Sequence, residues 1–390
     1  MSALKNFTIL ILLCFFHGPL LFGQSEKTIA FNSESWAIEA AGSMTYTYMG
    51  ENSLLINRGR AYLKDAKFLN GIIEFDIFLA ERRAFPGVMF RMVDPSNYEE
   101  FYIRPHLSGK PDAFQYTPIY NGSSAWQLYH DQFTGDNDGL ASWRPIEEGN
   151  GHNSVYHYPY DRWLHVKLVI SNQSAEVYFD HSEEPVVHIH ELKRDPEAGT
   201  IGIKSSVGPI HFANFSYTPI ENPTLKINSE TVGESEDNSI AEWLISDEFN
   251  EKELDGNDLL DKAFIEKRNW KKLKAEKSGV TNLAKVAQGS RENNTVFAKI
   301  VVKADQSGLK RLNLGYSDRV KVYCNGQALY SGDNGYRTRD YRFLGTMGYF
   351  DTIYLPLNKG NNEILIAVSE TFGGWGVQGK FEDMEGIQLN

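Results

Sequence analysis

What the chain has little of narrows it first. Two cysteines stand among 390 residues, Cys14 and Cys324. Cys14 sits in an amino-terminal apolar run that reads as an export signal, so the mature chain keeps one thiol and forms no internal disulfide. A chain of this length needs no such staple, because large domains bury enough surface unaided. Cys324 closes the apolar run Val320-Lys-Val-Tyr-Cys with no histidine near it in sequence, and is expected to be a packed strand residue rather than a nucleophile. Basic runs are missing too. Lys and Arg total 39 against 51 Asp and Glu, a formal net charge of -12. Binding a phosphate backbone needs a basic footprint, so nucleic acid is not an expected partner. Beyond the first two dozen residues there is no long apolar stretch. Lys5, the run 9–16 and a cleavage point near Gly23 or Gln24 make residues 1–24 a secretory signal, too short to span a bilayer. Leu12 and Leu13, not small residues, precede Cys14, which argues against a lipid anchor. The expectation is a bacterial protein exported to the periplasm or exterior and not membrane-spanning.

What is present points to β-structure. Aromatic residues make up 13% of the chain, with 20 Tyr and 23 Phe, a bias that suits sheets and stacking surfaces. Alternating runs at 72–79, 87–93, 99–104, 163–170, 175–179, 200–204 and 210–217 are separated by Gly, Asn, Asp and Pro, and helical periodicity is scarce. Residues 219–238 turn polar, as a linker would. Runs resume at 295–302, 308–314, 319–323, 352–357 and 362–369, after a charged stretch, 251–274, with room for short helices. Asn325-Gly326 signals a tight type I′ turn. The expected fold class is all-β, with two tandem β-sandwich (jelly-roll) domains, 25–219 and 241–390, joined by a linker over 220–240.

The stretch Tyr98-Glu-Glu-Phe-Tyr-Ile-Arg-Pro-His106 carries the functional expectation. Side chains alternate across a strand, so Phe101 and Ile103 should enter a core while Glu100, Tyr102, Arg104 and His106 line the other face. Such a row suits a flat, polar ligand, and carbohydrate leads. Sugar rings stack their CH faces on aromatics, and their hydroxyls need amides, carboxylates and cations. Gln115, Tyr116, Asn121 and Trp126 follow within one segment, and Arg91 precedes the row. Together these nine residues form the expected binding set for an oligo- or polysaccharide. The competing reading buries Tyr116 and Trp126 and pairs Arg104 with Glu100. Glu74 and Asp76 share one strand face opposite Ile73, Phe75 and Ile77. They are expected on the same face as the binding row, or as solvated carboxylates. Two carboxyls can also divide acid and base work on a glycosidic bond, which makes Glu74, Asp76, Glu100 and His106 the catalytic candidates.

Other motifs weigh less. In Asp136-Asn-Asp-Gly139, Asp136 and Asp138 could hold calcium, but such loops are usually turns. No other cofactor is expected. His188-Ile-His190 lacks a third ligand and is expected to be a surface feature. Gly374-Trp-Gly-Val-Gln-Gly379 spells a dinucleotide fingerprint without the helix that would give it meaning. It is expected to belong to a loop that presents Trp375 or packs it over a sandwich end.

Residues 30–218 resemble the concanavalin A-like lectin/glucanase superfamily, including laminin-G-like modules and 3-keto-disaccharide hydrolase-like domains. Phe68-Leu-Asn-Gly-Ile-Ile-Glu-Phe-Asp-Ile77, Gly87-Val-Met-Phe-Arg91, Arg162-Trp-Leu-His-Val-Lys-Leu168 and Ile210-His-Phe-Ala-Asn-Phe215 carry the resemblance. The Glu74 strand is similar to the catalytic strand of family-16 glucanases, Glu-x-Asp-x-x-Glu. Here Leu79 stands at the third acidic position and Glu81 falls too late, so that family's general acid/base is missing. Residues 241–390 resemble galactose-binding-like jelly rolls of the glycoside hydrolase accessory type. That resemblance rests on Val320-Lys-Val-Tyr-Cys-Asn-Gly326, Asp351-Thr-Ile-Tyr-Leu-Pro-Leu357 and Lys359-Gly-Asn-Asn-Glu-Ile-Leu-Ile-Ala-Val368. The role of such domains is often structural, so sugar contact by Trp375 or Arg339 is not strongly implied. The resemblances imply sugar binding, with two alternatives: a glycoside hydrolase or lyase on a polysaccharide or modified disaccharide, or a protein-interaction module.

Overall fold

The computed structural model describes residues 26–110, 113–129, 156–226, 238–256, 258–339 and 343–389. The expected signal, Asp136 and Asp138, and most of the expected linker lie outside them. The fold is all-β, two sandwiches in tandem. Strands of the first half are β1 (Lys27–Thr28), β2 (Trp36–Tyr48), β3 (Glu51–Leu63), β4 (Gly71–Leu79), β5 (Pro86–Asp94), β6 (Asn97–Ile103), β7 (Phe114–Tyr120), β8 (Ser123–Ser124), β9 (Arg162–Ser171), β10 (Ser174–Phe179), β11 (Val187–Ile189) and β12 (Thr200–Pro219). Their main order is β11-β10-β9-β4-β12-β5-β6-β7-β8.

The fold turns on β12. The runs expected at 200–204 and 210–217 are one strand, with an irregularity between Ser205 and Pro209. Its first part pairs with β5 and its last part with β4. One strand thus serves two layers, and the sheet folds over along it. Across the fold, Phe101 of β6 and Phe114 of β7 meet Phe179 of β10 at 6.3 and 5.8 Å between ring centroids. Inward residues of both layers form one core with Ile73, Phe75, Ile77, Val88, Phe90 and Val166. Apolar residues at alternate positions make that burial the main drive for this half.

Strands of the second half are β13 (Glu242–Ser246), β14 (Trp270–Lys274), β15 (Thr281–Asn282), β16 (Thr295–Ala304), β17 (Gly308–Ser317), β18 (Arg319–Cys324), β19 (Gln327–Asp333), β20 (Asp351–Leu357), β21 (Gly360–Ser369), β22 (Gly376–Phe381) and β23 (Ile387–Leu389). A seven-stranded sheet, β14-β13-β16-β21-β18-β19 with β23 on β16, faces a four-stranded one, β15-β22-β17-β20. Val296, Val322 and Ile366 from one meet Leu312, Leu355 and Val377 from the other. Asn325 and Gly326 both take left-handed φ, 51° and 83°, which the two-residue turn between β18 and β19 requires. The charged stretch yields a short helix, Lys262–Glu266, whose amino end is capped by Asp261.

Three side motifs resolve here. Cys324 is buried, and burial lifts its thiol to about 11, so it is an inert packed residue. Trp375 is not presented by a loop. It is fully buried, with Nε1 donating to the Val368 carbonyl at 3.0 Å. His188 is not a surface feature either. It lies in register with Glu176 of β10, both fully buried, with Nδ1 3.3 Å from the carboxylate.

The halves interlock through residues 125–129. Gln127 donates its backbone N–H to the Gly373 carbonyl and accepts from Met347 N, both at 3.0 Å. Its side chain donates to the Leu344 carbonyl at 2.7 Å and accepts from Ser317 Oγ at 3.3 Å. Gly373 has φ +102°, and a Cβ there would lie 2.2 Å from Gln127 Oε1, so only glycine allows the approach. Tyr129 donates to Glu276 at 2.6 Å, Lys193 lies 3.3 Å from the same carboxylate, and Asn121 Nδ2 reaches the Ala284 carbonyl at 2.8 Å. Val280 and Met347 of the second half pack into the first half's core. Polar contacts reaching from each half into the other hold the two sandwiches in one arrangement.

Candidate functional site

The join encloses a cleft of about 1340 Å³. Its floor is the outward face of β6 and β7, and its far wall is built from loops of the second half. Alternation supplies the floor: Phe101, Ile103 and Tyr116 point into the core, while Glu100, Tyr102, Gln115 and Thr117 point outward. Lys204 of β12 stands beside them, its Nζ 2.6 Å from Glu100 Oε2. Burial of that ammonium opposes its charge, but Glu100 and Tyr98 outweigh the penalty and raise its pKa. Glu100 therefore pairs with Lys204 rather than with Arg104.

Arg104 sits just past the strand, and its backbone N–H donates to the Ala113 carbonyl. Pro105 begins a single 3-10 turn, Pro105–Leu107, because proline cannot donate to a ladder. The expected row of side chains on one strand thus stops at Tyr102. Arg104 still reaches the floor. Nη2 donates to Gln115 Oε1 at 2.6 Å and to Tyr102 Oη at 2.7 Å, and the guanidinium lies 4.8 Å from the Tyr102 ring and 5.6 Å from that of Trp126. Gln115 in turn donates to the Trp126 carbonyl at 2.7 Å. This web fixes the backbone of Trp126, whose side chain is buried, as the competing reading expected. His106, carried by the turn, lines the cleft and meets Phe85 edge-on at 5.3 Å.

Aromatics cross from one half to the other. Trp126 meets Phe372 at 6.0 Å, and Phe372 meets Tyr336 at 6.0 Å, both near edge-to-face. Phe372 is 55% exposed and Tyr336 37%. Exposed aromatic faces at a cleft are costly to leave in water and suited to stacking. Asp318 holds the Phe372 loop by accepting from Thr371 N and Phe372 N at 2.8 and 3.0 Å. Glu370 also lines the cleft. Burial, reinforced by the charge of Asp318, pushes its carboxyl well above the usual range. Its Oε1 accepts from Gly374 N, and its Oε2 is buried with no hydrogen-bond partner.

The other expected residues lie elsewhere. Arg91 sits at a bulge with φ +50°, which swings it away from the floor. It is buried, donating to the Leu69 carbonyl, Asn70 Oδ1 and the Asn172 carbonyl at 2.8, 2.9 and 2.5 Å. Tyr116 is a core residue, donating to Glu99 and accepting from Lys193 N. Asn121 joins the halves. Glu74 and Asp76 do not share a face with Glu100: β4 and β6 lie in opposite layers, so their outward faces look in opposite directions. There the two carboxylates flank His165, whose Nδ1 is 2.8 Å from Asp76 and whose Nε2 is 3.4 Å from Glu74. Burial opposes charge on that ring, yet Asp76 and Glu74 together lift it to about 9. The His165 hydrogen bond is the largest influence on Glu74 and leaves it below its ordinary value. The second-half wall, with Tyr336, Arg337, Glu370 and Phe372, was not among the expected residues. Its one sequence signal was the Phe372-Gly-Gly-Trp375 motif, in which the first aromatic is presented and the second buried. Among the described residues no group of acidic, His or Cys side chains could hold a metal ion.

The structure is therefore that of an all-β tandem sandwich with an aromatic-walled cleft at the join. No protein-family model matches the chain, and no curated protein matches it. Among solved structures it is similar to the carbohydrate binding module CBM66 from Bacillus subtilis, at 13% identity over 48% of this chain and 97% of that one, TM-score 0.32. It is similar to a protein of unknown function with a galectin-like fold from Bacillus subtilis, at 12% over 50% and 96%, TM-score 0.34. A Bacillus licheniformis beta-glucanase aligns at 12% over 51% and 99%, TM-score 0.30.

Proposed function

We propose that the cleft at the join binds an oligo- or polysaccharide. The observation that carries this reading is the exposed aromatic pair Phe372–Tyr336, backed by the buried Trp126, beside the Arg104–Gln115–Tyr102 hydrogen-bonding web. Sugars need both a ring face to stack on and oriented donors and acceptors. Glu100 and Thr117 supply acceptors, and Arg104 and His106 supply donors. We also propose export, from Lys5 and the apolar run behind it, and a division of the chain at residues 219 and 241. The test is direct binding of the mature protein to a panel of polysaccharides, with and without calcium, beside the Phe372→Ala variant. Binding that weakens in the variant supports the cleft; binding unchanged in the variant removes it.

A second reading, cleavage of the same glycan, draws on Glu370. A carboxyl at the cleft whose neutral form is favoured by burial is the kind of group that donates a proton to a leaving oxygen. Glu74 and Asp76 are not part of that reading, because they flank His165 on the opposite outer face. Product analysis on bound glycans with wild type and Glu370→Gln checks it: released sugar that disappears in the variant makes the protein an enzyme.

A further inference from the structure

The charge around the cleft runs against the charge of the chain. The whole sequence carries -12, yet the described lining holds six formally cationic side chains, Arg83, Arg104, Lys110, Lys204, Arg291 and Arg337, and two carboxyls. Of those carboxyls, Glu100 is paired with Lys204 at 2.6 Å, and burial favours the neutral form of Glu370. Among the described residues Arg83, Lys110, Arg291 and Arg337 form no ion pair, and all four are exposed. Arg83 and Arg337 lie over the Phe85 and Tyr336 rings at 5.7 and 4.9 Å, which stiffens them without neutralising them. Arg83 and Lys110 come from the first half, Arg291 and Arg337 from the second, so the positive field surrounds the cleft from both sides.

We propose that the cleft selects an anionic glycan, one whose rings carry carboxylate or sulfate groups. This rests on the carbohydrate reading and deepens it. A neutral sugar pairs with none of these four cations, whereas a ligand charge is drawn to the positive side chains on both walls. Guanidinium forks match carboxylate and sulfate oxygens in pairs, while the exposed Phe372 and Tyr336 take the ring faces. A single-stranded nucleic acid also combines anions with flat rings. The chain's overall negative charge opposes a long nucleic acid wherever it leaves the cleft, and opposes a long anionic polysaccharide for the same reason, so the glycan inferred is an oligosaccharide of a few units.

The experiment measures binding of the full mature protein to three oligosaccharide probes and one control. The probes are oligogalacturonate, the same oligomer with its carboxylates chemically reduced to hydroxymethyl groups, and a sulfated oligosaccharide without carboxylates. A single-stranded oligonucleotide is the control. The expected result is that one or both charged sugars bind at least about tenfold tighter than the reduced oligomer. The advantage should shrink as salt rises, since the screening length falls to about 8 Å at physiological ionic strength. Arg291→Ala and Arg337→Ala, both exposed and outside either core, should each weaken the charged sugar and leave the melting temperature unchanged. Which charged probe wins tells carboxylate from sulfate. Equal affinity for charged and reduced oligomers overturns the anionic proposal and leaves the carbohydrate reading standing. No binding of any sugar brings down both. Tighter binding of the oligonucleotide than of every sugar also overturns the proposal.

Discussion

The two outer faces of the first sandwich offer the same raw material and put it to different use. On the β4 and β9 face, Glu74 and Asp76 close on His165, and His165 stacks on His181 at 3.9 Å. Two carboxylates share that face, but they are already matched by His165 within one sheet, beside a hollow of about 190 Å³. On the β6 and β7 face the matched groups, Glu100 with Lys204 and Arg104 with Gln115, lie on the floor, and a second sandwich stands over them. Cations and aromatics at the rim are left for something else to meet. A row of polar residues on a strand becomes a site when another part of the chain makes it concave, not when the row is rich in carboxylates.

The largest effect should come from breaking the join. Gly373→Ala must place a Cβ against Gln127 Oε1 at a positive φ. It should cost about 3 kcal/mol of stability and abolish glycan binding, measured by denaturant unfolding and by titration of the folded fraction. Equal stability would mean the halves are not held at this point. Next comes Glu99, on the inward side of β6. Burial lifts its carboxyl to about 7 against the accepting bonds from Tyr116 and Arg194. The unfolded chain releases that proton near 4.5, so stability should fall as pH rises from about 4.5 to 7 and then level off. The full span is on the order of 3 kcal/mol for an isolated group, and less once the rest of the core relaxes. Glu99→Gln should flatten that slope in urea titrations run across the window. Phe372→Ala should act on binding alone. Half of its surface faces solvent, so the melting temperature should hold while affinity drops about tenfold, as loss of an aromatic stack does.

Local rules read well wherever neighbours along the chain decide the outcome. Alternation put Phe101 and Ile103 inward and Glu100 and Tyr102 outward, and Asn325-Gly326 marked its turn. The same rule failed where geometry interrupts the period: at Arg91 a bulge, at His106 a turn begun by Pro105. It also missed the β2 and β3 hairpin, because β2 is largely exposed on both faces and shows no alternation to read. Face is a local property and layer is not. Glu74 and Glu100 both point outward, and only the fold of β12 between two layers decides that they point apart. The second-half wall was hidden for the same reason. Phe372 sits in an irregular loop whose position depends on Asp318, more than fifty residues earlier in the chain.

The smallest effect, and the sharpest control, belongs to the closed face. Asp76→Asn removes the closest partner of His165, so the imidazolium should titrate well below its present value of about 9. A raised histidine pKa stabilises the fold wherever the ring is charged: the contribution is complete below about 6.5 and disappears as pH rises through about 9. The variant should therefore lose about 1 kcal/mol at pH 6 to 7, where the ring is half-buried and partly screened, and nothing at pH 10. NMR titration of His165 alongside thermal melts checks both. Glycan affinity should not change, because the opposite layer of the sandwich and its core separate Asp76 from the cleft. If Asp76→Asn weakens glycan binding as much as Phe372→Ala does, the ligand sits on the carboxylate face and the contrast between the two faces is reversed.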